Sequence, residues 1–208
     1  MATVEQPQID QPPRPAWEIA HLFPMQGEWT EQEYLDLTNA TNRLVELSAG
    51  TIEVLPMPTR THQRILLYLY RLLFEVIEAR GLGSVLVAAL RVRLWDGKMR
   101  EPDLVVMLAE HRDREHDAYF DGAGLVIEIV SDDPKRDLAT KRAEYAQAGI
   151  PEYWIVEPQA ETVMVLRLDE HTYVEHSRGG RGQTATSALL NDVSVDVTHM
   201  FDETKQGA

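Results

Sequence analysis

A strand with one carboxylate in its middle is the strongest constraint that this sequence places on its fold. Residues 124–131 read Gly-Leu-Val-Ile-Glu-Ile-Val-Ser and are mostly apolar and β-branched, except for Glu128. Such a run is typical of a central strand that is covered on both faces. A buried carboxylate must find a strong partner or change its pKa, because moving a charge out of water is very unfavourable. The run therefore predicts a core strand, and a metal ion is the partner of Glu128 that we favour.

A second apolar strand carries an acid at its start. Residues 101–107 read Glu-Pro-Asp-Leu-Val-Val-Met, so that Asp103 directly precedes the apolar run. Asp103 has three interpretations, which are a turn residue after Pro102, a charge that faces water, and a metal ligand. Two acids at equivalent heights on neighbouring buried strands repel each other unless a divalent cation lies between them. We therefore predict a magnesium site at Asp103 and Glu128, with Mn²⁺ as a substitute.

A predicted helix over residues 137–148 carries the cation that this chemistry requires. Asp137 and Lys141 are four residues apart, which is compatible with an exposed ion pair worth about a few tenths of a kcal/mol. Tyr145 lies one turn further on the same face. If that face turns to the sheet, Lys141 can offer a positive charge to an attacking water or a phosphate, and Asp137 can hold it in place. Two acids and a cation are the groups needed for metal-assisted phosphodiester hydrolysis.

Glu46 and His62 are further candidates, each with an ordinary alternative. Glu46 lies in the first predicted hairpin and is also explained by pairing with Arg43 or Arg64. His62 opens a long predicted helix and is also explained as an exposed helix residue. The absence of cysteine excludes thiol nucleophiles and thiolate zinc sites. The scattered glycines form no phosphate-binding loop, so that use of a nucleoside triphosphate is not indicated.

Length and composition indicate one folded domain. The chain has 208 residues with 44% apolar content, enough to bury a core. Four prolines among polar residues in the first sixteen positions predict a flexible tail over residues 1–16, followed by a single domain over residues 17–208. The sequence has no apolar run of membrane-spanning length and no secretory signal, so we expect a cytoplasmic protein.

The charge is acidic overall and unevenly distributed. The net charge of −14 argues against a general nucleic-acid coat protein, because phosphate would be repelled at long range. Residues 60–100 nevertheless carry a net charge of +5, which leaves −19 for the rest. This block either forms a local basic surface or consists of solvated arginines on a helix and two strands.

The periodicity of the chain predicts a mixed α/β (α+β) fold. A capping-box spacing from Thr30 to Glu33 predicts a short helix, and apolar residues at helical spacing predict a long helix over residues 61–80. Residues 43–47 and 51–55 predict an N-terminal β-hairpin. Further strands are predicted at 85–89, 92–95, 102–108, 125–130, 153–156, 162–168, 172–176 and 193–197, with a polar loop over 110–124. This order is typical of a central mixed β-sheet flanked by helices.

Several of these residues together resemble a known family. They are Pro102-Asp103, Glu128 to Ser131, Asp137, Lys141 and the block at 145–156, Tyr-Ala-Gln-Ala-Gly-Ile-Pro-Glu-Tyr-Trp-Ile-Val. The series resembles the Uma-two (Uma2) family of restriction endonucleases, which belongs to the PD-(D/E)xK nuclease superfamily. The resemblance extends from Thr30 to Phe201. The Tyr-Trp block after Gly149 is its specific part, whereas the Pro-Asp pair alone is not.

The resemblance implies a restriction-endonuclease-like core and a Mg²⁺-dependent endonuclease that acts on DNA. The plain superfamily motif has lysine two residues after the second acid, where this chain has Val130. The resemblance implies that Lys141 replaces that lysine from the helix. The implied catalytic residues are Asp103, Glu128 and Lys141, of which the two acids are the metal ligands, and the supporting residues are Glu46, His62, Asp137 and Tyr145.

Two further expectations concern function and assembly. A non-catalytic nucleic-acid-binding or assembly protein that keeps the nuclease fold is the alternative function, and the excess of acid favours it. An enzyme that cuts both strands of DNA usually needs two active sites, so we expect a homodimer or higher homo-oligomer. Tyr153 and Trp154 either present an interface or fill the core.

Overall fold

The computed structural model describes residues 23–130 and 136–205, except for the side chains of residues 136–138. Its α-helices are α1 (Glu31–Asn39), α2 (Arg60–Val76), α3 (Arg142–Gln147) and α4 (Val197–Lys205). A wide π-helical turn, Arg136–Lys141, leads into α3, and a 3-10 segment spans Ala109–Arg114. The strands are β1 (Val45–Ser48), β2 (Thr51–Val54), β3 (Gly83–Val87), β4 (Val92–Trp95), β5 (Lys98–Arg100), β6 (Leu104–Leu108), β7 (Phe120–Asp121), β8 (Leu125–Ile129), β9 (Glu152–Glu157), β10 (Thr162–Asp169), β11 (Thr172–Gly179), β12 (Thr184–Thr186) and β13 (Ser194–Asp196).

The described strands form two larger sheets and a small one. The main sheet has the order β11-β10-β9-β8-β6-β3, and β8 runs parallel to β9 and antiparallel to β6. The second sheet has the order β2-β1-β5-β4-β7 and contains the predicted hairpin as β1 and β2. Strands β12 and β13 form a short pair. The predicted mixed sheet with flanking helices is confirmed, and β8 is the predicted interior strand, buried along its whole length.

The two faces of the main sheet carry separate apolar cores. Helices α2 and α4 cover one face, where Leu125 and Ile127 of β8 pack with residues such as Leu69. Tyr145 of α3 lies on the opposite face with Val126. Because side chains alternate along a strand, Glu128 points to the same face as Val126. The glutamate inside the apolar run is thus directed towards the α3 side of the sheet.

Several predicted boundaries are wrong for identifiable reasons. The long helix ends at Val76 rather than 80, because residues 77–82 turn by way of Gly81, whose φ is +69°. The helix predicted over 137–148 is a π-helical turn followed by α3. The strand predicted over 193–197 is shorter, and α4 follows it directly. The loop predicted over 110–124 contains most of the 3-10 segment and β7. The predicted tail over residues 1–16 lies outside the described residues.

Two sequence features have clear structural outcomes. The capping box of α1 is formed, since Thr30 accepts a hydrogen bond from the Glu33 amide and Glu33 accepts one from the Thr30 amide. Tyr153 and Trp154 are fully buried in this chain, so that they fill the core.

Candidate active site

Asp103 and Glu128 lie side by side at one end of the main sheet. In the antiparallel pair of β6 and β8, Leu104 lies opposite Ile127, so continuation of the register places Asp103 opposite Glu128. Asp103 Oδ2 accepts a hydrogen bond of 2.7 Å from the Ile129 amide, which fixes the aspartate across the gap between the two strands. Both carboxylates line one cavity of about 390 Å³. The structure therefore brings the two predicted metal ligands to one cleft.

Lys141 and Tyr145 approach Glu128 from the helical side. The Lys141 ammonium lies 2.8 Å from Glu128 Oε1, and its side chain is 5% exposed. The Tyr145 hydroxyl donates a hydrogen bond of 2.6 Å to the same oxygen. Burial, and next the charge of Glu128, raise the pKa of Tyr145 well above its ordinary value, so it stays a neutral donor. The helix face that carries Lys141 is thus turned to the sheet and not to solvent, whereas the side chain of Asp137 lies outside the described part.

His62 contacts Asp103 from the start of α2. Thr59 caps this helix by accepting a hydrogen bond of 3.2 Å from the His62 amide. His62 Nε2 lies 3.0 Å from Asp103 Oδ1, while the buried Nδ1 has no hydrogen-bond partner among the described residues. Asp103 is therefore held on one oxygen by a strand amide and on the other by an imidazole. His62 is not the exposed helix residue of the ordinary interpretation, since its side chain is 13% exposed.

Glu46 approaches the cleft residue Lys141 from β1 of the second sheet. Its Oε1 lies 3.6 Å from the Lys141 ammonium, and its Oε2 accepts a hydrogen bond of 2.5 Å from Arg100. The ordinary interpretation named Arg43 or Arg64 as the partner of Glu46, whereas the structure places Arg100 against it. Lys141 thus lies between two carboxylates, one from each larger sheet.

Three further site residues, Arg100, Lys98 and Glu144, were not identified from the sequence. Charged side chains are usually exposed, so their burial was not expected. Lys98 and Arg100 are both 4% exposed, so neither interpretation of the basic block over residues 60–100, a basic surface or solvated side chains, holds for them. Arg100 binds Glu144 of α3 with two hydrogen bonds of 2.8 Å and 2.9 Å, and Lys98 also contacts Glu144. These are interior ion pairs between β5 and the helix that follows Lys141.

Glu101 is a further cleft residue that the sequence did not single out. It precedes Pro102, lines the same cavity as Asp103, and accepts a hydrogen bond of 3.0 Å from the Val45 amide. Burial raises the pKa of Glu101 to about 7; the nearby Glu46 adds to this effect, while the Val45 amide and the charges of Arg91 and Lys141 oppose it. No sequence signal marks Glu101, because its partner Val45 lies 56 residues away in the chain.

The raised pKa of Glu101 predicts a pH-dependent stability. The folded state binds the Glu101 proton more tightly than the unfolded chain, whose pKa is near 4.5. Its contribution is fully present below pH 4.5 and is lost as the pH rises through about 7. Relative to the wild type, Glu101→Gln is expected to gain about 1 to 3 kcal/mol in unfolding free energy between pH 5 and pH 8. Urea unfolding in EDTA measures this difference.

A matched surface variant provides the control for this prediction. Glu110→Gln changes a side chain that is 72% exposed and should follow the wild type at both pH values. If Glu101→Gln and the wild type lose equal stability between pH 5 and pH 8, the carboxyl of Glu101 does not titrate in this range.

Comparison with known proteins identifies the family of this chain. The family model of Uma2, described as "Putative restriction endonuclease", matches residues 31–198. The chain belongs to the Uma2 family. Among solved structures, a crystal structure titled as a putative nuclease belonging to DUF820 from Anabaena variabilis has a TM-score of 0.64 and 17% sequence identity. The alignment covers 82% of this chain and 98% of that chain, and at this identity it shows the fold alone. No curated protein matches the sequence.

The family and the fold are consistent with each other. Family membership indicates a nuclease, and the Anabaena structure shows that the same fold occurs in a protein given that description. Over residues 23–130 and 136–205, no helix is long and apolar enough to cross a membrane.

The donor set of this Uma2 chain fits a hard divalent cation. Among the residues that the structure describes, no three His, Asp or Glu side chains cluster closely enough to enclose a metal ion. An all-protein cage of the kind used for Ca²⁺ or structural Zn²⁺ is therefore not built from these side chains. Mg²⁺ is commonly bound by one or two carboxylates with water in the remaining positions. Asp103 and Glu128, opposite each other at the cleft, match that requirement.

Proposed function

We propose that this Uma2 protein is a metal-dependent endonuclease that hydrolyses DNA phosphodiester bonds. One observation carries the proposal: the Lys141 ammonium lies 2.8 Å from Glu128, and Asp103 lies opposite Glu128 on the neighbouring strand. Lys141 is thus close to the two acids, although Val130 stands where the superfamily motif has its lysine. A lysine supplied by a helix serves the same purpose as one supplied by the strand, because the position of its charge matters rather than its point of attachment. A scaffold protein has no need for this buried convergence of charges.

The residues of the cleft have separable tasks in this proposal. Asp103 and Glu128 would hold Mg²⁺, or Mn²⁺ in its place, and the ion would supply Lewis-acid stabilisation of the charge on the phosphate. Lys141 orients the attacking water or neutralises a phosphate oxygen by hydrogen bonding. Tyr145 donates to Glu128 and fixes the carboxylate that Lys141 also contacts. His62 and the Ile129 amide fix Asp103.

The proposed reaction favours an oligomeric protein. Cutting both strands of a duplex calls for two active sites, which a homodimer or higher homo-oligomer provides. We propose such an assembly, acting on DNA in the cytoplasm. Size-exclusion chromatography with light scattering measures the mass of the assembly directly.

The alternative function is a non-catalytic protein that keeps the nuclease fold for nucleic-acid binding or assembly. Within this alternative the net charge of −14 favours an assembly role, because long-range repulsion opposes encounter with DNA. The two functions make different predictions for DNA cleavage. A nuclease cleaves DNA and needs the acidic residues of the cleft, whereas a non-catalytic protein does not cleave it.

A cleavage assay with matched aspartate variants tests the proposal. Wild-type protein, Asp103→Asn and Asp169→Asn are incubated with supercoiled plasmid and Mg²⁺ or Mn²⁺. Asp169 is a suitable control because its side chain is 57% exposed on β10. Wild type and Asp169→Asn should convert the plasmid to nicked or linear forms at equal rates, whereas Asp103→Asn should leave it supercoiled. Equal cleavage by all three proteins, or cleavage by none, would contradict the proposal.

A further inference from the structure

Arg100 connects the second sheet to the helix that carries the cleft lysine. Its guanidinium donates to Glu46 of β1 and forms two hydrogen bonds to Glu144 of α3, at 2.8 Å and 2.9 Å. Glu46 in turn lies 3.6 Å from the Lys141 ammonium. Glu144 lies three residues beyond Lys141, just inside α3. Arg100 thus holds both a partner of Lys141 and the helix that begins directly after it.

The attachment of Lys141 to a helical segment creates a positioning problem that a strand lysine does not have. A lysine at the position of Val130 would follow β8 directly and be placed by the ladder of the sheet. Lys141 instead ends a π-helical turn, and its ammonium reaches Glu128 only if this turn and α3 are correctly placed on the sheet. A side chain that fixes α3 to the sheets therefore controls where the charge lies.

The geometry of Arg100 suits that task. A guanidinium presents its N–H donors in a planar fork that matches a carboxylate with two parallel hydrogen bonds, which a lysine ammonium does not reproduce. Burial disfavours the charge of Arg100, but the two carboxylates outweigh this effect and raise its pKa above the ordinary value. The charges alternate in sign from Glu144 through Arg100 and Glu46 to Lys141 and Glu128, so each is stabilised by its neighbours.

We propose that Arg100 is a positioning residue, which acts through Glu46 and Glu144 to hold the Lys141 ammonium at Glu128. This inference rests on the proposed nuclease function as far as the rate is concerned. It makes a separate claim about the position of Lys141 that does not depend on cleavage. Arg100 is only 4% exposed and needs no contact with substrate in this role.

The first test measures Lys141 directly. In trace acetylation with acetic anhydride, followed by mass spectrometry, buried Lys141 should react slowly in the wild type. Arg100→Lys keeps the charge but loses the fork, and it should raise the reactivity of Lys141 about ten-fold as the helix opens more often. Arg181→Lys is the matched control, because Arg181 also bridges two carboxylates, Glu161 and Asp202, on the surface. Unchanged reactivity of Lys141 in Arg100→Lys would overturn the proposal.

The second test separates positioning from general stability. Arg100→Lys should lower kcat about 10- to 100-fold while KM changes little, because misplacement of a catalytic group affects the chemical step. If Arg100→Lys does not fold, Glu144→Gln is used in its place. Glu144→Gln weakens the hold on α3 but leaves the contact between Arg100 and Glu46. This variant should also raise the reactivity of Lys141 and lower kcat. A wild-type protein that does not cleave would contradict the proposed function, while the acetylation result would still decide the role of Arg100. Full kcat in a folded variant with exposed Lys141 would contradict the catalytic task proposed for Lys141, and with it the effect of Arg100 on the rate.

Discussion

Replacing Lys141 by methionine is expected to lower the rate of phosphodiester cleavage about 100- to 1000-fold, the range found when one fixed donor to a developing charge is removed. Methionine keeps much of the length and apolar volume of the lysine stem but carries no charge. The loss should appear in kcat, because the Lys141 ammonium lies beside the carboxylates of Glu128 and Glu46 rather than along an open binding surface. Gel-based cleavage kinetics under single-turnover conditions measure the chemical step.

The same variant should bind Mn²⁺ at least as tightly as the wild type. Removing the ammonium takes away the positive charge that lies 2.8 Å from Glu128, and a divalent cation then relieves more repulsion than before. Lys205→Met is the matched control, since Lys205 pairs with Glu161 on the surface. Cleavage by Lys141→Met within two- to three-fold of the Lys205→Met rate would show that the lysine has no part in the reaction.

Glu152→Ala is expected to destabilise the folded protein strongly. The Glu152 carboxylate is completely buried and accepts hydrogen bonds from four groups. The donors are Trp154 Nε1, Ser187 Oγ and the amides of Ala188 and Leu189. Truncation leaves two buried donors and two partly buried amides without an acceptor, at a cost of about 3 to 5 kcal/mol. Chemical denaturation measures this change in unfolding free energy.

A second substitution at the same position distinguishes the hydrogen bonds from the lost volume. Glu152→Gln keeps the shape, but whichever way its amide is turned, an NH₂ group faces donors that the carboxylate accepted from. It should therefore also destabilise by more than about 1 kcal/mol. Glu175→Ala, which removes a half-exposed partner of Arg178, should change stability by less than about 1 kcal/mol. Equal stability of Glu152→Gln and the wild type would show that the segment at residues 187–189 does not depend on this carboxylate.

The sequence predicted the site residues that are marked by the pattern of a single β-strand. Glu128 stands out because apolar residues surround it, and alternation along β8 then fixes the face to which it points. Asp103 stands out because it precedes the neighbouring apolar strand. For Lys141, spacing left two orientations of the helix open, and only the family resemblance favoured the one that the structure displays.

The part that sequence did not predict depends on contacts between distant segments. Arg100 and Glu144 are 44 residues apart, and β5 is a three-residue strand with a charge at each end, which gives no apolar periodicity to detect. Glutamate residues are usually exposed, so the sequence does not mark Glu101 and Glu152 as buried. They become buried when the sheets and the segment at residues 187–189 assemble. Ion pairs and burial of this kind arise from tertiary packing, which a local pattern does not contain.

Calorimetric titration of the protein with Mn²⁺ tests the central claim most directly, because it measures the metal site without requiring cleavage. If Asp103 and Glu128 jointly hold the cation, the wild type and the surface variant Asp169→Asn should bind one Mn²⁺ per chain, and both Asp103→Asn and Glu128→Gln should lose that binding. Unchanged Mn²⁺ binding in either cleft variant, or no binding by the wild type, would contradict the claim.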